Sequence, residues 1–151
     1  MKLDLKGIHE YQQNRDPYLF IDYVDEVIPG KIANGFKDLK KDEWFFKVHW
    51  PGDPNVPGML QIEAMVQMAA LTILTLPNNK GKVVYLVSAD KVVFKKKIIP
   101  GDRLHLKTKL NSWNRGIGKC SGTGMVKDEI ACKAEFTLIL PEVIKNYVVK
   151  S

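Results

Sequence analysis

Fifteen residues, His49-Trp50-Pro51-Gly52-Asp53-Pro54-Asn55-Val56-Pro57-Gly58-Met59-Leu60-Gln61-Ile62-Glu63, hold the side chains best suited to moving protons beside a carbonyl group. His49 is flanked by aromatic and apolar residues, and imidazole ionises nearest neutrality, which suits it to proton abstraction. Glu63 follows in the second turn of an otherwise apolar segment. A buried, unpaired carboxylate is costly, so this one must be neutralised, partnered or functional. A carboxyl whose pKa is raised by an apolar site can act as a general acid. Gln67, four residues on, shares its helix face and can hold it by a hydrogen bond. Gly58, after Pro57, opens the helix, where first-turn amides lack intrahelical partners and the helix dipole is positive. A carbonyl set there would be polarised, as in an oxyanion site, and a glycine admits it close to the backbone. Base, acid and electrophile together suit removal of an α-proton with loss of a β-hydroxyl. Each feature also has a structural reading: a packed histidine, a snorkelling or interface glutamate, and an ordinary Pro-Gly helix start.

These residues need a rigid loop and a buried helix to position them. Pro51, Gly52, Pro54, Pro57 and Gly58 crowd into eight residues and exclude helix and sheet interior alike. Met59 to Leu76 contains no Gly or Pro and is apolar in nearly every direction, which predicts a helix buried on most sides. Strands are expected at Phe20–Ile28, Lys31–Asp38, Glu43–Val48, Lys82–Ala89, Lys91–Lys97, Arg103–Trp113, Lys119–Lys127 and Ile130–Leu140. One long helix among antiparallel strands gives an α+β class in which the sheet wraps the helix.

Length and composition set the remaining bounds. A chain of 151 residues with 45% hydrophobic and 26% charged residues reads as one globular domain, residues 1–151. The N-terminal segment carries Asp4 and Glu10 and develops no apolar core of a signal peptide, and the Met59–Leu76 stretch is broken by polar residues. A cytoplasmic protein without a membrane span is expected, with Cys120 and Cys132 as free thiols in a reducing compartment. The net charge of +6 matches the excess in window 91–110, where Lys91, Lys95, Lys96, Lys97, Arg103, Lys107 and Lys109 face Asp102 alone. That cluster is either a solvated strand face or a landing site for an acidic or phosphorylated partner. Nucleic acid is disfavoured, because Phe94 is the single aromatic platform in the window.

His49 through Gln67, reading His-aromatic-Pro-Gly-x-Pro-x-x-Pro-Gly-x-Leu-x-Ile-Glu-Ala-Met-x-Gln, resembles the signature of the (3R)-hydroxyacyl-acyl carrier protein dehydratases, the FabZ family. Asn14-Arg15-Asp16-Pro17-Tyr18-Leu19-Phe20-Ile21-Asp22 and Phe94-Lys95-Lys96-Lys97-Ile98-Ile99-Pro100-Gly101-Asp102-Arg103-Leu104 are similar to two further family segments, in the same order. The resemblance implies a hot-dog fold, and a homodimer, often a trimer of dimers, whose active sites combine His49 of one subunit with Glu63 of the other. It implies that the acyl thioester enters an apolar tunnel beside the helix with its carbonyl on the Gly58 amide. His49 would take the α-proton and Glu63 would protonate the departing hydroxyl, supported by Gln67, Pro57 and Trp50. Related dehydratase-isomerases carry Asp at the Glu63 position, so Glu63 implies simple dehydration. No metal or redox cofactor is implied; the substrate rides on the phosphopantetheine of an acyl carrier protein, for which Lys95, Lys96, Lys97 and Arg103 would be docking residues.

Four departures bear on the acyl group accepted. Val48 stands where the family has Gly, Trp50 where it has Phe, Asn55-Val56 where it has Val-Met, and Asn14 where it has His. They leave open a specialised lipid, aryl-polyene or polyketide pathway. A hot-dog thioesterase and a non-catalytic acyl-binding subunit are the competing readings.

Overall fold

The computed structural model describes residues 1–147. The element order is α1 (Leu5–Tyr11), β1 (Tyr23–Ile28), β2 (Ile32–Asp38), α2 (Trp44–Val48), α3 (Gly58–Leu74), β3 (Tyr85–Phe94), β4 (Arg103–Asn114), β5 (Ile117–Val126), β6 (Glu129–Ile139) and α4 (Pro141–Ile144), then a 3-10 turn at Lys145–Tyr147. The strands form one antiparallel sheet in the order β1-β2-β4-β5-β6-β3. Its inner face packs on α3, chiefly through β4, β2 and β5, and every residue from Ala64 to Leu74 is buried. That is the wrapped-helix α+β arrangement expected from the all-round apolar character of the segment.

The sheet closes on the helix because β5 presents small residues inward. Gly118, Cys120, Gly122 and Gly124 alternate on the buried side of that strand. A Cβ on Gly122 would lie 3.1 Å from the Met65 Cβ, and one on Gly118 would lie 2.9 Å from the Ile73 Cδ1. Cys120 sits opposite Phe136 and Cys132 opposite Gly124, so the two thiols are not cross-strand neighbours. Both are free and buried, and burial pushes them up to about 12 and about 11.

Several expectations are corrected. Glu43–Val48 is not a strand: Trp44–Val48 is a short helix, because Phe45 and Phe46 are consecutive and both buried, with their rings edge-on at 4.7 Å. A strand would have turned one of them outward. Lys82–Ala89 and Lys91–Lys97 are not two strands but one, Tyr85–Phe94, with an irregularity between Asp90 and Val93 and a left-handed Lys91 at φ 48°. The central helix stops at Leu74, capped by Thr75, rather than at Leu76. α1 is additional; Asp4 caps it by accepting from the Gly7 amide.

Leu71 is fully buried on α3. Leu71→Ala should cost about 2–5 kcal/mol in urea denaturation, the range for a core leucine; a loss well below that would mean that the helix is not the centre of the core.

Candidate active site

His49 caps the C-terminus of α2, its own amide donating to the Phe45 carbonyl at 2.9 Å. Its Nδ1 lies 3.2 Å from the Asn55 carbonyl oxygen. A carbonyl can only accept, so the neutral ring carries its proton on Nδ1 and leaves Nε2 free as a base. Trp50, at φ 53°, stacks on the imidazole with ring centres 5.2 Å apart. The loop between them and α3 is cross-tied: the Val56 amide donates to the Ile98 carbonyl at 2.8 Å and Lys97 meets Asp53 at 2.7 Å.

Pro57 ends that loop, and its carbonyl accepts from the amides of Leu60 and Gln61 at 3.0 and 3.1 Å. The amides of Gly58 and Met59 have no acceptor among the described residues. The glycine at position 58 has a packing cause as well: a Cβ there would lie 2.8 Å from the tip of the Phe94 ring. Sequence reasoning assigned Gly58 to ligand approach alone and missed this contact, because Phe94 comes from a strand distant in the chain.

Glu63 is half-buried, and desolvation raises its pKa against the opposing hydrogen bond from Gln67. Gln67 is buried and held on three sides: its Nε2 donates to the Glu63 Oε1 at 3.0 Å and to the Tyr18 carbonyl at 2.9 Å, while its Oε1 accepts from the Phe20 amide at 2.8 Å. Glu63, Val66, Gln67, Ala70 and Leu74 form one wall of a cavity of about 320 Å³; residues 82–86 form the facing wall and Gln12, Gln13 and Asn14 one side. Neither His49 nor Gly58 lines that cavity. Within one chain, then, the base and the acid occupy separate surfaces. Among the described residues no group of three or more His, Cys, Asp or Glu side chains could hold a metal ion.

The charge cluster of window 91–110 is corrected by the fold. Lys91 meets Glu135 at 3.6 Å, Lys96 meets Glu129 at 3.1 Å, and Lys97 meets Asp53, so acids from elsewhere offset the excess. Arg103 grips Asp38 through two hydrogen bonds of 2.7 and 2.9 Å and lies 3.8 Å over the Phe36 ring. That guanidinium holds the Asp38 carboxyl below its usual range. Lys95 alone of the four candidate docking residues has no acid partner among the described residues.

Because its folded-state pKa is raised, Glu63 lowers stability as pH climbs from its ordinary value of 4.5 through the folded pKa. Glu63→Gln keeps the acceptor for Gln67 and removes the ionisation. It should melt above the wild type at pH 7, with the gap closing as pH falls below 4.5; a gap independent of pH would contradict the burial argument.

Residues 13–135 match the FabA-like domain family. The chain is 39% identical over 140 residues to the 3-hydroxyacyl-[acyl-carrier-protein] dehydratase FabZ of Alkaliphilus metalliredigens, covering 93% of this chain and 95% of that one. It is 36% identical to the FabZ of Bacillus subtilis, covering 93% and 99%. Among solved structures, the dehydratase heterocomplex ApeI:P from Xenorhabdus doucetiae aligns with a TM-score of 0.75 at 14% identity, covering 95% of this chain and 97% of that one. A hypothetical thioesterase from Streptococcus pneumoniae aligns with a TM-score of 0.59 at 13% identity, covering 78% and 83%. These two likenesses show the hot-dog fold, and the sequence relationships show the family: this chain belongs to the FabA-like family, among the FabZ 3-hydroxyacyl-[acyl-carrier-protein] dehydratases.

Proposed function

We infer that this protein, as one dehydratase domain over residues 1–151, removes water from (3R)-3-hydroxyacyl-acyl carrier protein to give the trans-2-enoyl thioester in fatty-acid biosynthesis. The observation that carries the reading is a carboxyl kept toward its protonated form by burial on α3, fourteen positions after a histidine whose Nε2 is free. The thioester carbonyl accepts from the unpartnered Gly58 amide, which stabilises the enolate-like charge as the α-carbon loses its proton. His49 Nε2 takes that proton. The bond from C3 to oxygen then breaks, the oxygen leaves with the electron pair, and Glu63 supplies the proton that makes it water. Proton exchange with solvent resets both side chains, and the chemistry calls on no metal or redox cofactor. Gln67 fixes the carboxyl, Pro57 frees the first-turn amides, and Trp50 holds the imidazole plane.

The active site is completed in a homodimer, His49 of one copy meeting Glu63 of the other. Two observations support this: His49 stands outside the Glu63 cavity, and the edge strand β3 carries Tyr85, Leu86, Val87, Val93 and Phe94 exposed. An unpaired edge with that many apolar side chains is suited to a second copy. Dimers can assemble further into a trimer of dimers. The acidic carrier protein docks through Lys95, Lys96, Lys97 and Arg103, the last three by exchanging acids of this chain for those of the carrier. No described helix is long and apolar enough to cross a membrane, and the cytoplasm is the proposed location.

Incubation with 3-hydroxyacyl and crotonyl thioesters, following enoyl absorbance together with free thiol, tests the assignment. Interconversion without thiol release is expected, and His49→Ala or Glu63→Gln should lose about 10²–10⁴-fold in rate. Thiol release without interconversion would replace dehydration by thioester hydrolysis. Reversing Lys95 to Glu should raise KM for carrier-linked substrate more than for a small thioester; equal effects would remove the docking role.

A further inference from the structure

Gln12 is buried, with 3% of its surface exposed, and stands one residue ahead of the 13–135 stretch that matches the family. It caps the C-terminus of α1, which fixes its backbone: its amide donates to the Ile8 carbonyl at 2.9 Å and its carbonyl accepts from Arg15 at 2.6 Å. Its side-chain Nε2 donates to the main-chain carbonyl of Gln67. The other arm of the amide, Oε1, is buried and has no hydrogen-bond partner. Gln12 lines the same cavity as Glu63 and Gln67.

The neighbouring amide cannot satisfy that oxygen. Both hydrogens of the Gln67 amide are committed, one to Glu63 and one to the Tyr18 carbonyl. Buried amide oxygens are rarely left without a donor, because nothing then offsets their loss of solvent. The occupant of this corner must therefore carry a donor hydrogen and be small enough for a cavity already flanked by the acid. Water meets both conditions, and a buried water needs two to four polar partners. Glu63 and Gln12 offer two acceptors, each anchored on Gln67, one to its side chain and one to its main chain.

We propose that Gln12 is the acceptor that retains the water formed at Glu63, so that the cavity behind the acid is a water site from which hydration also draws. The inference rests on the dehydratase reading and adds a residue to it. When the bond from C3 to oxygen breaks, the new water donates one hydrogen to the Glu63 carboxylate and the other to Gln12 Oε1. Its lone pairs stay directed at C3. In the reverse direction the same water is poised to add, returning one proton to Glu63 while the other remains on Gln12.

Retention can be read directly from isotope partitioning. A 3-hydroxybutyryl thioester carrying heavy oxygen at the hydroxyl is incubated with the full chain, and label lost from recovered substrate is compared with enoyl formed. A held water returns to C3 before it escapes, so the wild type should preserve label. Gln12→Met and Gln12→Leu remove the acceptor and should raise label loss per enoyl formed by about 2–10-fold, the range for one lost hydrogen bond. A ratio unchanged in a folded variant overturns the water site while leaving the dehydratase intact. Should neither variant fold, a high-resolution crystal structure of the wild type decides: a water within hydrogen-bond distance of Gln12 Oε1 supports the site, and an oxygen facing no donor overturns it. If the wild type forms no enoyl thioester, the dehydratase reading fails and this inference fails with it.

Discussion

A carboxyl group set into the wall of a buried helix is stable there only while it keeps its proton or finds a partner. Glu63 has Gln67 as partner and little solvent, and the balance raises its pKa. Everything around it serves that balance. The inward glycines of β5 let the sheet close on α3, which removes water from the helix. The segment from Tyr18 to Phe20 accepts and donates to Gln67, so the amide that holds the carboxyl is itself immobile. An acid prepared in this way gives its proton to a leaving hydroxyl more readily than a solvated glutamate does.

The histidine side of the site is built by different means. It depends on local chain geometry: a five-residue helix, two adjacent buried phenylalanines, and a proline-rich loop whose Asn55 carbonyl fixes the imidazole tautomer. The two constructions share no cavity within a chain. The apolar edge of β3 belongs to the same division of labour, since Phe94 at its end also presses on Gly58. Pairing of that edge with a second copy would thus bear on the helix N-terminus as well as on the meeting of base and acid.

What the sequence disclosed follows from how local each feature is. The central helix was legible because its apolar residues point in every direction, and the His49–Glu63 segment because its residues are consecutive. Trp44–Val48 misled because aromatic residues suit a strand as well as a short packed helix, and only the burial of both Phe45 and Phe46 decides between them. The basic window misled for another reason: Glu135, Glu129, Asp53 and Asp38 lie far from it in sequence and adjacent to it in space. Gln12 gave no signal, since its significance is a missing donor in a cavity built by α3 and residues 82–86.

The central claim is that His49 of one copy works with Glu63 of another, and subunit mixing tests it most directly. His49→Ala and Glu63→Gln chains, each inactive alone, are unfolded together, refolded and assayed for crotonyl thioester hydration. A mixed dimer contains one site with both natural residues, so random pairing should restore about a quarter of wild-type activity. A mixture that stays as inactive as its components would contradict the account.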